Sequence, residues 1–112
     1  MKMVMAVIKP FKLEDVRDAL AKIGVSGLTA SDVTGFGRQK GQKQGEPDNR
    51  DDVTFVQKTK LEIVVSDDLC DPVIDTIQKV AHTGRIGDGK IFVYNIERAV
   101  RIRTGEEDKN AV

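Results

Sequence analysis

The spacing of apolar residues changes along this chain, and these changes limit its fold more than any other feature. Apolar residues recur every three or four positions in residues 13–23 and 73–81, which is the period of a helix packed on one side. Elsewhere the apolar residues alternate with polar ones or follow one another in short runs, as in strands. The predicted strands are residues 2–9, 28–36, 55–65 and 91–96.

Proline, glycine and aspartate mark the ends of these segments. Pro10 ends the first strand, and Gly24 stops the first helix. Asp67 or Asp68 is expected to cap the second helix, and Gly84 to close it. The order βαββαβ predicts an α+β fold of the ferredoxin-like type, with two helices on one antiparallel sheet. Residues 1–112 are expected to form a single domain.

The two helices can cover only one face of this sheet, yet the other face is not polar. Residues 3–8 are all apolar, and residues 91–94 are apolar or aromatic at every position. An antiparallel sheet with one face in water would alternate with polar residues instead. The pattern therefore predicts self-association through the sheets, without giving the number of subunits.

A long polar loop separates the second and third strands. Apart from Pro47, residues 38–52 contain no aliphatic or aromatic side chain, and they are densely charged. Loops of this length inside compact domains are usually functional or disordered. Because the flanking strands are expected to pair, the loop would be the tip of a long hairpin.

Charge and composition exclude several classes of protein. Lysine plus arginine equals aspartate plus glutamate at 18 each, so no overall field attracts nucleic acid or an anionic membrane. The N-terminal apolar run is too short for a signal peptide or a membrane span, which predicts a cytoplasmic protein without direct membrane insertion. The single cysteine, Cys70, is interpreted as a small buried hydrophobe that forms no intramolecular disulfide.

Residues 83–95, TGRIGDGKIFVYN, are the strongest candidate for binding an anion. They fit G-x-x-x-x-G-K, but Ile91 replaces the hydroxyl residue of a Walker motif and a strand follows instead of a helix. Three glycines would let backbone N–H groups approach an anion, with Lys90 beside them. An ordinary helix-to-strand turn would look similar. An extended tail would place Arg101 and Arg103 on one face, which favours a polyphosphate ligand.

A second glycine cluster, GFGRQKG, occupies residues 35–41. It is not a dinucleotide fingerprint, because its third glycine is one place late and no helix is expected after it. Flexible hairpin glycines would explain it equally well. One nucleotide that contacts both clusters would give both a function.

Four segments together resemble the PII signal-transduction proteins of nitrogen control: IKPFKLEDVRDAL, GFGRQKGQ, KTKLEIVV and TGRIGDGKIFVYNIERAVRIRTGEED. The resemblance implies a homotrimer with three nucleotide sites between neighbouring subunits, where ATP and ADP compete. Matched by position, it implies that the phosphates contact Gly37, Arg38, Gly87, Gly89, Lys90, Arg101 and Arg103. The two tail arginines would reach across from the adjacent subunit. The adenosine would lie among Val7, Thr29, Glu62 and Val64, in a cleft that Gly35, Thr83 and Asp88 also line.

The same resemblance implies a second ligand. Mg²⁺ would bridge ATP to 2-oxoglutarate, which would be held by the side chain of Gln39, by Lys58, and by the backbone near Lys40 and Gly41. Because the dicarboxylate would coordinate the same ion as the ATP phosphates, it could bind only with ATP. The loop, residues 37–55, would then report site occupancy to a target protein, which could be a membrane transporter such as an ammonium channel.

The loop tip departs from the family pattern. Many members carry a modifiable tyrosine or serine there, whereas the matching positions in this chain are Asp51 and Asn49. Covalent control of the usual kinds is therefore not expected. The arginine that members insert into an ammonium channel is replaced by Pro47, although Arg50 lies three residues further on.

The sequence fits other classes of function less well. An RNA-recognition module shares the βαββαβ order but needs stacking aromatics on its central strands, which MVMAVIK and KLEIVV lack. No catalytic constellation of Ser/His/Asp, Cys/His or clustered carboxylates is visible, so the protein is predicted not to be an enzyme. The remaining alternatives are a nucleotide-sensing regulator without a 2-oxoglutarate response, and a slow ATP hydrolase.

Overall fold

The structure is a computed structural model that describes residues 1–36 and 55–112. Within these ranges the βαββαβ order is confirmed. The main elements are β1 (Lys2–Ile8), α1 (Leu13–Lys22), β2 (Thr29–Gly35), β3 (Val56–Val65), α2 (Asp67–Ala81) and β4 (Lys90–Asn95), with short 3-10 helices at Pro10–Lys12 and Asp108–Asn110. The sheet has the strand order β2-β3-β1-β4, and each neighbouring pair is antiparallel. The ferredoxin-like α+β fold is therefore correct.

The core lies between the sheet and the two helices. Val4, Ala6 and Ile8 of β1 are buried opposite Ile63, Leu61 and Thr59 of β3, respectively. The helices cover them with the buried residues Val16, Leu20, Val73, Ile77 and Ala81. The residues that follow the helical and alternating periods of the sequence thus meet in the core, and each buried valine, leucine or isoleucine contributes about 1.5–3 kcal/mol.

The ends of α2 differ from the prediction. Ser66 occupies the N-cap position, and Asp67 and Asp68 lie in the first turn of the helix. Asp67 accepts a hydrogen bond from the amino group of Met1 at 2.8 Å, and this bond and its charge lower the pKa of Asp67. The helix ends at Ala81 because His82 is already extended, so Gly84 does not close it.

On the side away from the helices, the part of the sheet that β1 and β4 form is apolar, as the sequence predicts. Met3, Met5 and Val7 of β1 lie on it half-exposed. Phe92 lies opposite Met5 and Tyr94 opposite Met3, and these aromatic side chains are 49% and 47% exposed. Burial of this face by other subunits stays a prediction.

Part of the predicted site falls outside the described residues. This applies to eight candidates of the loop between β2 and β3: Gly37, Arg38, Gln39, Lys40, Gly41, Pro47, Arg50 and Asp51. Among the helices that are described, none has the length and apolar character needed to cross a membrane.

Candidate functional site

The segment between α2 and β4 forms a glycine loop, residues 82–89, at one end of the sheet. Gly84, Gly87 and Gly89 have φ angles of +84°, +94° and +102°, a region that side-chain-bearing residues rarely adopt. The glycines singled out in the sequence are therefore needed by the backbone itself.

Gly89 is the most restricted of the three. A Cβ atom added there would lie 1.7 Å from the carbonyl oxygen of Val7 and 2.8 Å from its carbon. Both are backbone atoms of the central strand, which cannot move aside as the end of a flexible side chain could. Only glycine lets the loop approach β1 so closely, and this approach places Lys90 directly opposite Val7.

Asp88 fixes the shape of the glycine loop. Its Oδ2 accepts hydrogen bonds from the backbone N–H of Thr83 at 2.8 Å and of Gly84 at 2.9 Å. Its Oδ1 accepts a hydrogen bond from the Thr83 hydroxyl. These bonds, led by the one from the Thr83 hydroxyl, lower the pKa of Asp88 well below its usual range. Asp88 thus acts in the loop as a carboxylate that ties the two ends of 83–88 together.

Lys9 belongs to the same network, although the sequence analysis did not include it. Its Nζ lies 3.2 Å from Asp88 Oδ1 and donates to Thr83 Oγ1 at 3.0 Å. Its position directly after β1 could have identified Lys9 as a site residue from the sequence. In a βαββαβ fold the end of β1 is next to the start of β4, and so next to the glycine loop.

Lys58 approaches the glycine loop from β3. Its ammonium group donates to the carbonyl oxygen of Gly87. Partial burial lowers the pKa of Lys58, the nearby charge of Lys9 lowers it further, and Asp88 acts in the opposite direction. Two ammonium groups and one carboxylate therefore meet beside the glycine loop.

An open cleft of about 990 Å³ lies over these groups. Its described lining includes four cationic residues, Lys9, Lys58, Arg85 and Lys90, and one carboxylate, Asp88. It also includes Val7, Gly35, Gly87 and Gly89. A cleft with excess positive charge and a glycine-rich backbone wall suits a polyanionic ligand.

Two aromatic side chains flank the long loop, and one of them, Phe36, lines the cleft. Phe36 and Phe55 pack edge to face with ring centroids 5.2 Å apart and an interplanar angle of 81°. They are the last described residues on either side of the long loop. Phe36 and Phe11 also line the cleft. The ends of the loop are thus joined by an aromatic contact next to the cationic residues.

Three of the predicted adenosine residues lie elsewhere on the open face of the sheet. Thr29 of β2 is opposite Glu62 of β3, and Val64 is opposite Met3 of β1. None of the three lines the cleft of the same chain. One subunit therefore carries the glycine-loop residues that are predicted to bind phosphate on a different surface from Thr29, Glu62 and Val64, whereas Val7 lines the cleft.

The tail is not extended at the predicted arginines, and that premise of the sequence analysis was wrong. Residues 102–104 form a turn, in which the Gly105 N–H donates to the Arg101 carbonyl at 2.7 Å. Gly105 has a φ of +76°, which permits this reversal. Arg101 and Arg103 are exposed and do not line the cleft of their own chain.

No group of three or more His, Cys, Asp or Glu side chains in residues 1–36 and 55–112 is arranged to hold a metal ion. The predicted Mg²⁺ contact, Gln39, lies outside these ranges.

Comparisons with known proteins show the family of this chain. The family model "Nitrogen regulatory protein P-II" matches residues 1–106. The chain belongs to the P-II family of nitrogen regulatory proteins. It is 54% identical to a nitrogen regulatory protein P-II of Klebsiella oxytoca and to P-II 1 of Escherichia coli K12, and 55% identical to one of Haemophilus influenzae. Each match covers all 112 residues and the full length of both proteins.

This membership makes the chain a nitrogen signal-transduction regulator in the broad sense. P-II family proteins are signalling proteins that act on partner proteins. The glycine loop and the neighbouring lysines of this chain are then candidates for the site that receives the signal.

Proposed function

We propose that this P-II family protein senses ATP, ADP and 2-oxoglutarate, and that it controls a target protein through the loop at residues 37–55. The single observation that carries the proposal is the cleft beside the glycine loop. There Lys9, Lys58, Arg85 and Lys90 face a backbone wall that only glycine permits at position 89.

The phosphates of the nucleotide are assigned to this wall. Positive φ angles at Gly87 and Gly89 leave backbone N–H groups accessible to an anion, and Lys90 adds a positive charge at the start of β4. Asp88 keeps its negative charge beside the cleft, and the ammonium group of Lys9, 3.2 Å away, offsets that charge.

The site is proposed to be completed by a neighbouring subunit. Thr29, Glu62 and Val64 lie away from the cleft, and Arg101 and Arg103 lie in an exposed tail of the same chain. In a homotrimer a second copy could bring its adenosine residues and its arginines to the phosphates. Such assembly would also bury the apolar face of the sheet.

Lys58 is proposed as the residue that binds a carboxylate of 2-oxoglutarate. Its ammonium group lies at the edge of the cleft, and its contact to the Gly87 carbonyl leaves further donor positions free for an anion. Mg²⁺, when bound, would supply the electrostatic link between the ATP phosphates and the dicarboxylate. Gln39, Lys40 and Gly41 complete this proposed site.

The loop is the proposed output. Because Phe36 and Phe55 join its ends beside Lys58, a ligand in the cleft would contact the point from which the loop begins. We assign the protein to the cytoplasm, with a target enzyme or membrane transporter as its partner. Pro47, Arg50 and Asp51 would distinguish its target from those of relatives that carry a modifiable tyrosine.

A regulator that binds nucleotide without responding to 2-oxoglutarate is the second candidate. Lys58 favours it, because a cation with a lowered pKa that already contacts Gly87 could serve to position the glycine loop alone. A slow ATP hydrolase is a third possibility, with turnover below about 1 per second, the low end for ordinary enzymes.

Calorimetry with ATP and with ADP, each with and without Mg²⁺ and 2-oxoglutarate, tests the proposal. Wild type should bind 2-oxoglutarate only together with MgATP. Arg101→Ala/Arg103→Ala should lose at least roughly tenfold in ATP affinity, because two charge-assisted contacts are removed. Lys58→Ala should keep ATP binding and lose 2-oxoglutarate binding.

The control is Arg17→Ala, which removes an exposed arginine of α1 that does not line the cleft. It should bind both ligands like wild type. Unchanged ATP binding by the double arginine variant would refute the nucleotide site. Retained 2-oxoglutarate binding by Lys58→Ala would move the dicarboxylate elsewhere and leave the nucleotide site standing.

A further inference from the structure

The tail turn, residues 98–108, is built as a self-contained unit. The Arg101 N–H donates to the Glu106 carbonyl at 2.8 Å, and the Asp108 N–H donates to the Ala99 carbonyl at 2.8 Å. Val100 and Glu107 form an isolated antiparallel bridge between the two sides. Within the part of the chain that is described, the hydrogen bonds of 98–108 all join one tail residue to another.

Two glutamates reinforce this turn with their side chains. Arg98 donates to Glu107 Oε1 from both Nη2 at 2.6 Å and Nε at 3.2 Å. Glu106 Oε1 accepts the Thr104 hydroxyl at 2.8 Å and lies 3.8 Å from Nε of Arg101. The first contact closes the turn at its base, and the second holds the segment that carries the two arginines.

These carboxylates are unexpected next to an anion-binding segment. A negative charge close to a phosphate weakens its binding through space. Their contacts give a reason for their presence, because a turn without support from the rest of its own chain would otherwise sample many conformations. Ordering it in advance reduces the conformational entropy lost when the arginines bind.

We propose that Glu107, through Arg98, is a positioning residue that holds the tail turn in the shape with which Arg101 and Arg103 bind a nucleotide. This inference rests on the proposed function, since it presupposes that these arginines bind phosphate. Glu106 acts in the same direction on Arg101 itself.

The direction in which one substitution changes ATP affinity distinguishes a positioning role from a purely electrostatic one. Glu107→Gln removes a negative charge, so electrostatics alone predicts tighter ATP binding. A neutral amide oxygen accepts from Arg98 more weakly than a carboxylate does, so the weakened contact predicts weaker ATP binding instead, by up to roughly fivefold, the range for an exposed ion pair. Calorimetry with MgATP measures this change directly.

A charge swap and a matched control complete the experiment. Arg98→Glu/Glu107→Arg restores the pair in reverse and should recover ATP affinity, whereas Arg98→Ala should not. Glu97→Gln removes an exposed carboxylate next to Arg98 that has no ion pair within the described residues, and it should not weaken binding. Melting temperatures of all variants should stay near wild type.

Each outcome decides a separate question. Equal or tighter binding by Glu107→Gln, or no recovery in the swap, would overturn the positioning role while leaving the arginine site in place. Arg103→Ala is measured in the same series. If it binds ATP like wild type, the proposed nucleotide site fails and the positioning role fails with it.

Discussion

At position 89, the absence of a Cβ atom allows the glycine loop to pack against β1. The loop backbone passes so close to the Val7 carbonyl that a Cβ atom would overlap it. Gly89 also has a φ of +102°, so a side chain would be strained even without the overlap. The close approach of loop and strand is thus a property of the backbone, and neighbouring side chains cannot compensate for its loss.

Gly89→Ala should destabilise the fold by more than about 2 kcal/mol, because steric overlap and backbone strain act together. Urea unfolding followed by circular dichroism would measure the change. Gly27→Ala is the matched control, since a Cβ atom at Gly27 would have no neighbour within 4 Å. It should alter stability by no more than about 1 kcal/mol. Equal effects of the two substitutions would contradict the close contact.

At the scale of elements, the loop 82–89 depends on one carboxylate. Asp88 binds Thr83 and Gly84 within the loop and Lys9 at the end of β1. It therefore connects the loop to the central strand as well as closing it. The ionised carboxylate of Asp88 accepts hydrogen bonds from two backbone N–H groups. Protonation would weaken it as an acceptor toward all of its partners.

The stability contributed by Asp88 should depend on pH. Its pKa is lower in the folded chain than the ordinary 3.8, so its stabilisation is full above that value and is lost as the pH falls below it. The unfolding free energies of wild type and Asp88→Asn should differ by a constant amount from pH 7 to about pH 5. The difference should narrow between about pH 4 and pH 2.

Asp75→Asn removes an exposed carboxylate of α2 and controls for the general loss of one negative charge. A gap between wild type and Asp88→Asn that stays constant down to pH 2 would show that the folded loop does not stabilise the ionised form of Asp88 over the protonated form.

The elements could be predicted from the sequence because their signals are local. Residues 61–65 alternate, and residues 73–81 follow a helical period, so each pattern identifies its own buried side. The contact of Lys9 with Asp88 could not be predicted in this way, since it depends on the pairing of β1 with β4. The tail prediction failed for a related reason. Hydrogen bonds from Arg101 to Glu106 and from Gly105 to Arg101 turn a segment whose local pattern favours extension.

At the scale of the whole molecule, the apolar side chains of the open face need a partner. Phe92 lies on the edge strand β4, opposite Met5 of β1, and its side chain is 49% exposed. Phe11 is even more exposed, at 70%, but it lies in the 3-10 helix after β1 and not on the sheet. Substituting each of the two residues therefore shows whether a charge on the sheet disrupts self-association, or whether a charge at any exposed phenylalanine does so.

Phe92→Lys should disrupt the assembly, because it would place a charge in a subunit interface without a partner. Sedimentation equilibrium should give three times the 12.3 kDa chain mass for wild type and a smaller mass for the variant. Phe11→Lys, the same exchange away from the sheet, should sediment like wild type. A monomeric wild type, or a Phe92→Lys variant that assembles normally, would contradict burial of this face between subunits.

The separation of Thr29, Glu62 and Val64 from the cleft of their own chain has a genetic consequence. Suppose that each site is formed by one side from each of two chains. A variant with Lys90 replaced and a variant with Arg103 replaced would then be defective in different sides of the site. Expressed in one cell, their products could assemble together and form some sites from two intact halves. Two inactive alleles would then complement each other. Complementation would not occur if each chain contained a complete site of its own.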